Sequence, residues 1–334
     1  MSTIIAVSVF AGSFALSLAL WVFMLRVGLH LARIQNVSIR QIATVTVMTV
    51  VLNFICLFSG MYLGLATTPK GLMLILAIIC LAPFPLIAWV FKTSFASSLT
   101  VWLPTLVSPA VWVAGMLFIV RPFLFESFKG TSNLMAPTLL GPHWEGRCAE
   151  CGAPAYCTPF KSSHADERLM ICRDHFHITA PTESSETVFE PDRFLVARYL
   201  KPARWDVIVF RLPAEPSKMY VARLVGLPGE EITIQEDRVW ANGTMLTPPE
   251  LLQEIKYASH LPDSYFEMSG TEDQPANLAS DEYFVLGDFT MRSNDSRTWE
   301  RGAEGHHKFA VPSSHIIGVV THVCWPLHRL RILR

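Results

Sequence analysis

Two short cysteine-containing segments hold the plainest metal chemistry in this sequence: Arg147-Cys148-Ala149-Glu150-Cys151-Gly152 and Cys172-Arg173-Asp174-His175. Each puts two ligand-type side chains three positions apart, where one tight turn can aim both at the same ion, and 20 residues separate the pairs. Cys148, Cys151, Cys172 and His175 would close a tetrahedral structural zinc site and leave no open position for a reactive water. Cys157, His164 and His177 stand close in sequence as substitute ligands. Disulfides among Cys148, Cys151, Cys157 and Cys172 are the alternative if the segment lies in an oxidising compartment. No P-loop, HExxH motif or internal repeat is present, and no organic cofactor is expected.

The elements that must carry such a segment divide into two unlike parts. Six of the 27 basic residues and none of the 28 acidic residues precede Glu126. Uncharged apolar runs occupy about 4–25, 42–66, 71–91 and 97–120, each near the roughly 20 residues that a helix needs to cross a bilayer. The first run lacks the basic leader and small-residue cleavage site of a removable signal peptide. The expected fold is therefore an α-helical membrane domain of four transmembrane helices over residues 1–121, followed by a mainly β outer domain.

Arg26, Arg33, Arg40 and Lys92 lie in connections on one side of the four spans, against Lys70 on the other. The positive-inside rule then predicts an integral membrane protein with both termini and the β domain outside, in a bacterial cytoplasmic membrane the periplasmic face. The remainder of the chain keeps 21 basic against 28 acidic side chains, a net charge of −7. Such a surface argues against nucleic acid as a partner and leaves the lipid bilayer as the first one.

Strand-like runs follow: Phe194–Arg198, Val207–Phe210, Tyr220–Val225, Glu231–Ile234 and Tyr283–Leu286, with Gly and Pro turns between them. Asp237–Gly243 reads as a strand entering an Asn-Gly turn. Residues 244–280 are polar and contain prolines, and predict a surface excursion. The β domain is expected over 122–142 and 188–334, interrupted by a zinc-ribbon-like insert over 143–187.

Four ordered segments carry a family resemblance. Phe128-Lys129-Gly130-Thr131-Ser132-Asn133-Leu134-Met135-Ala136-Pro137-Thr138-Leu139 resembles the nucleophile segment of type I signal peptidases, a Ser/Lys peptidase family. Lys201–Phe210 resembles that family's second box, with Trp205 where glycine is usual. Tyr220-Val221-Ala222-Arg223-Leu224-Val225-Gly226-Leu227-Pro228-Gly229-Glu230 resembles its lysine box, and Leu286-Gly287-Asp288 with Ser293-Asn294-Asp295-Ser296-Arg297 resembles its last box. Val311-Pro312 and Ile316-Ile317-Gly318 resemble its closing strand. The order and spacing of these boxes make the resemblance specific.

The resemblance implies a β domain of signal-peptidase type. It also places the nucleophile on Leu134 and the general base on Ala222. A serine attacks a carbonyl only when a neighbouring base takes its proton, and a lysine serves as that base only when burial keeps it neutral. Leucine and alanine can do neither. Ser132 matches the family's oxyanion-binding serine, Ser293 the serine that orients the lysine, and Asp295 and Arg297 its ion pair. Met135 and Pro137, which flank the nucleophile position, are the residues expected to bind substrate.

Could a displaced dyad replace the lost one? Ser132 lies about 6.6 Å before Leu134 along an extended chain, and Lys218 roughly 13 Å before Ala222, too far to reach back easily. The favoured function is a catalytically silent homologue that binds or presents an extended signal peptide or exported polypeptide. An active signal peptidase with a displaced dyad is the alternative. A structural envelope protein docking a partner through the insert is a third reading, with an active paralogue or the translocation machinery as further partners.

Other residues invite simpler readings. Cys56 and Cys80 are expected as packed thiols in the spans, Cys324 as core in a closing strand, and Asn53 as a helix–helix hydrogen bond. His306-His307 predicts a solvated loop, since no carboxylate and third ligand stand at metal spacing. Pro83 and Pro85 should bend the third span.

Overall fold

The computed structural model describes residues 2–62, 69–159, 169–180, 187–259 and 268–334, which fall into two compact units, Met1–Val120 and Arg121–Arg334. In the first unit the helices are α1 (Ser2–Leu31), α2 (Ile39–Tyr62), α3 (Pro69–Leu81), α4 (Pro83–Phe91), α5 (Phe95–Thr105) and α6 (Val107–Gly115), with a π-helical turn over Met116–Leu124. Four stretches are long and apolar enough to cross a membrane, Ala11–Leu31, Ile39–Gly60, Met73–Phe91 and Phe95–Leu124. This is a membrane protein.

Pro83 has no amide hydrogen to continue α3, so the third span breaks at Ala82 and restarts with proline in the first turn of α4. The side chain of Ser94 caps α5 by accepting from the Ser97 amide. Trp21, Leu25 and Leu29 of α1 pack with Val45, Ile87 and Val101 from three other helices. Asn53 departs from expectation: its side-chain oxygen is buried and, among the described residues, has no hydrogen-bond partner. Cys56 and Cys80 are half-buried.

The second unit is built from strands β1 (Phe125–Lys129), β2 (Trp144–Arg147), β3 (Pro154–Cys157), β4 (Met170–Cys172), β5 (Ile178–Thr179), β6 (Arg193–Ala197), β7 (Val207–Leu212), β8 (Glu215–Gly226), β9 (Glu231–Gln235), β10 (Arg238–Ala241), β11 (Thr244–Met245), β12 (Ala276–Asn277), β13 (Glu282–Leu286), β14 (Val311–Pro312), β15 (Ile316–Trp325) and β16 (Arg331–Ile332). Every strand pairing within its three sheets is antiparallel. The large sheet runs β1-β6-β15-β7-β8-β13-β14 with β16 on β15; the second runs β11-β10-β9-β12; the third, β2-β3-β4-β5, is formed by residues of the insert.

Alternation drives this arrangement. Val196, Ile208, Phe210, Leu224 and Val320 from neighbouring strands meet in the main core, while Ile232, Ile234 and Val239 make a second core with Phe284 and Leu286. Asn242 and Gly243 both adopt positive φ, the left-handed pair that a two-residue hairpin loop requires between β10 and β11.

Two expectations need correction. Residues 244–280 are not simply a surface excursion: Leu252, Ile255, Tyr257, Ala276 and Leu278 are buried in the second core, and β12 pairs with β9. Apolar side chains scattered without strand or helix period gave no regular pattern to read. Cys324 lies on β15 but is exposed, because Val323 takes the buried face. The paired histidines lie in a loop as expected, His307 exposed, each beside a carboxylate. His306 Nε2 lies 3.2 Å from Asp281 and His307 Nδ1 2.7 Å from the buried Glu282.

Candidate functional site

The segment that follows β1 turns back on itself so tightly that two glycines are required. A Cβ on Gly130 would lie 2.5 Å from the Leu140 carbonyl oxygen, and one on Gly141 2.7 Å from the Ser132 nitrogen. Between them, Asn133 accepts the Gly141 N–H and donates to the Pro142 carbonyl at 2.7 Å and to Thr158 Oγ1 at 3.3 Å. The Leu134 carbonyl accepts the Phe289 amide at 3.0 Å. A Cβ on Gly287 would meet that same carbonyl oxygen at 2.8 Å and Ser293 Oγ at 1.9 Å. Leu134, Gly287 and Ser293 are therefore immediate neighbours.

Ala222 stands opposite Ile208 in the β7–β8 pairing and is only 4% exposed. Its methyl group shares the main core with Met135 and Leu139. Ser132, Leu134 and Met135 line a cleft of about 280 Å³ with Lys129, Met219 and Tyr220. Pro137 lies elsewhere. It lines a second, larger cavity, so the two residues expected to bind substrate face different spaces.

The polar groups beside this slot are fully engaged. Asp295 Oδ1 accepts from Arg297 Nε at 2.9 Å, while Oδ2 accepts from Arg297 Nη2 at 2.8 Å and from the Gly287 amide at 2.9 Å. The remaining guanidinium hydrogens reach the Ala258 and Thr290 carbonyls and Thr290 Oγ1. This pair staples the 287–297 turn. A second buried pair had no role assigned from the sequence: Arg223 donates to Asp288 through Nε at 2.7 Å and Nη2 at 2.5 Å, and Thr138 Oγ1 also donates to Asp288. Burial alone would lower the Arg223 pKa, but the Asp288 charge and hydrogen bonds outweigh it and hold it above its ordinary value. The signal was present as an arginine in the middle of an apolar strand, followed by an acid in a glycine-aspartate turn.

In the insert, ligand atoms of Cys148, Cys151, Cys172 and His177 all lie within 4.8 Å of one another. Cys151 and Cys172 sulfurs are 3.5 Å apart, and Cys148 Sγ is 3.8 Å from His177 Nδ1. Tetrahedral ligands at ordinary zinc–sulfur lengths stand about 3.8 Å apart, so the cluster can hold a metal ion. The histidine in this cluster is His177 and not His175. Strands β4 and β5 pair Ile171 with Ile178, and Cys172 donates its amide to the His177 carbonyl, so the hairpin returns His177 opposite Cys172. His175 stacks on the His177 ring, with centroids 5.3 Å apart. Cys157 sits on β3 in the insert's small core, and His164 lies outside the described residues.

Burial would raise the Cys148 thiol, yet the Cys151 and Glu150 amides and the His177 ring outweigh it and lower its pKa to about 6. Burial raises Cys172 to about 11. Glu150 also approaches His177 Nδ1, at 3.3 Å.

Four apolar helices of bilayer length precede an antiparallel β domain in which the segment around Leu134 meets the turn that carries Gly287 and Ser293. A family model for signal peptidase, peptidase S26, matches residues 172–325. Signal peptidase I P of Bacillus subtilis subsp. natto is 34% identical over 149 residues, covering 43% of this chain and 74% of that protein. Signal peptidase I of Pseudomonas aeruginosa is 34% identical over 199 residues, covering 55% of this chain and 58% of that one. A solved signal peptidase I from Enterococcus faecalis is 29% identical over 36% of this chain and 98% of its own, with a TM-score of 0.27. The chain belongs to the signal peptidase I family.

Proposed function

We propose that this chain is a catalytically silent signal peptidase I homologue that holds an extended, signal-peptide-bearing polypeptide in the cleft beside Leu134. The observation that carries the reading is Ala222, whose methyl group is buried with Met135 and Leu139 at the position of the proton-accepting amine. Leu134 supplies no attacking oxygen. Neither side chain can take part in proton transfer or acyl transfer.

The binding half of the proposal rests on the free edge of β8. Strand β13 pairs only with its Arg223–Gly226 end, so residues 219–221 present unpaired backbone groups toward the cleft among the described residues. An extended peptide can add there as a strand, with main-chain hydrogen bonds for affinity and the apolar cleft for small side chains. Ser132 at the cleft mouth then acts as a hydrogen-bonding group and not as a nucleophile. The β domain and both termini are assigned to the outer, periplasmic face, and zinc to the Cys148, Cys151, Cys172 and His177 cluster. Metal analysis and thiol counting on the purified chain test the last assignment: bound zinc with unpaired thiols supports it, and disulfides without metal overturn it.

An active enzyme with a displaced dyad is the second reading, because Ser132 and Lys129 line the same cleft. Lys129 is solvent-exposed, however, and not in the apolar core that holds Ala222. Lys218 is paired with Glu215 at 2.7 Å on the exposed part of β8, and that carboxylate raises its pKa, the reverse of what a neutral base needs. A standard preprotein presented to the full chain and to the double variant Leu134→Ser/Ala222→Lys separates the readings. Cleavage by the double variant alone is expected. Cleavage by the unaltered chain, abolished by Ser132→Ala, would overturn silence.

A further inference from the structure

The larger cavity, about 510 Å³, lies within the β unit and is distinct from the peptide cleft. Its volume is in the range of small-ligand sites, roughly 300–1,000 Å³. Its apolar wall includes Phe176, Trp205, Leu252 and Leu333, and its charged wall is formed by arginines from three separate parts of the chain, Arg173, Arg223 and Arg331. The charges do not balance. Arg173 is bound to Asp174 and Arg223 to Asp288, through two hydrogen bonds each. Asp192, the remaining acid near Arg331, is held by Arg329 through two more.

Arg331 is left over. Its Nη2 donates only to the carbonyl oxygens of Pro137 and Thr138, its Nε is buried without a partner, and no carboxylate pairs with it among the described residues. A half-buried guanidinium whose Nε is shut off from water and which lacks a paired carboxylate is costly, and a bound anion relieves that cost. Burial and the neighbouring Arg329 already push its pKa down.

Trp205 supplies an independent observation. It adopts φ of +72°, a left-handed conformation that a bulky L-residue takes only against steric resistance. Its carbonyl is held by Arg223 Nη1 at 2.7 Å and its amide by the Leu224 carbonyl at 2.7 Å, so the turn is over-determined and the indole is displayed on the cavity wall. Strain of this kind persists where the displayed side chain has a use. Aromatic and aliphatic walls around one uncompensated positive charge match a ligand with an apolar body and a single negative charge.

We propose that this cavity is a binding site for a small amphipathic carboxylate, with Arg331 as its counter-ion and Trp205 and Leu252 against its apolar part. The carboxylate comes either from a free organic acid or from the carboxyl end of a short peptide. Inorganic phosphate, with up to two charges and no apolar part, fits poorly beside Asp174 at the same wall.

The test is calorimetric titration of the full chain in lipid nanodiscs with 3-phenylpropionate, its neutral amide, N-acetyl-alanyl-phenylalanine and inorganic phosphate. Saturable binding of at least one carboxylate is expected, with the amide at least tenfold weaker and phosphate weaker still. The tighter of the two carboxylates identifies the source. Arg331→Gln, which keeps an N–H donor for the Pro137 and Thr138 carbonyls, should weaken the acid at least tenfold and leave the amide unchanged. Trp205→Gly, which restores a residue suited to positive φ, should weaken acid and amide alike. Equal binding of acid and amide, phosphate as good as the acid, no saturable binding by either acid, or an unaffected Arg331→Gln variant would each overturn the proposal.

Discussion

The slot around Leu134 and Ala222 and the charged turn beside it have followed opposite rules. In the slot, Leu134 and Ala222 are both hydrocarbon, and Ala222, buried among Met135 and Leu139, needs no hydrogen-bond partner. In the turn, Asp295 and Arg297 remain fully hydrogen-bonded and buried, and loss of either one would leave the other charge stranded. An apolar side chain can be replaced singly at small cost, whereas one member of a buried ion pair cannot.

That contrast can be broken most sharply at Arg297. Arg297→Ala should cost on the order of 3–5 kcal/mol in denaturant unfolding of the purified chain, the usual loss when one partner of a buried pair is removed. Asp288→Asn should cost roughly 2 kcal/mol, since it keeps the shape but loses charge-assisted bonds to Arg223. Leu134→Ala is expected to cost only about 1 kcal/mol, because part of that side chain already meets solvent. If Leu134→Ala proves as damaging as Arg297→Ala, the distinction between slot and turn is wrong.

The smallest effect concerns pH. Glu282, at the start of the strand that leads to Gly287, is buried and accepts from the Ala279 and His307 amides and from His307 Nδ1. Burial would raise its pKa, but these bonds outweigh it and hold it below the ordinary 4.5. Its contribution is therefore complete above the unfolded value and lost as pH falls through the native one. Unfolding free energies measured between about pH 6 and pH 3 should show an acid limb that Glu282→Gln flattens. An unchanged limb would assign the acid sensitivity to other carboxylates.

Much of the architecture was legible because its causes are local. Apolar runs of bilayer length announced the helices, alternation announced β6, β7, β9 and β13, and Asn242-Gly243 announced its own turn. What escaped depends on partners far away in sequence. His177 reaches the sulfur cluster through strand register, which a two-residue spacing rule does not encode. Tyr257 and Ile255 become core only because the β9–β10 hairpin offers a surface to cover. Glu236 and Asp237 turn between β9 and β10 with positive φ, although neither has glycine's freedom. The same limit applied to Arg223 and Asp288, whose partnership joins residues 65 positions apart.

Asn133 ties two parts of the β unit together with one carboxamide, which grips Gly141 and Pro142 on one flank and Thr158 on another. A truncated chain that excised 143–187 would take Thr158 away and loosen Pro142, and the amide would be stranded one bond from Leu134. The excision and a replacement of Asn133 by an apolar residue belong in the same gene edit.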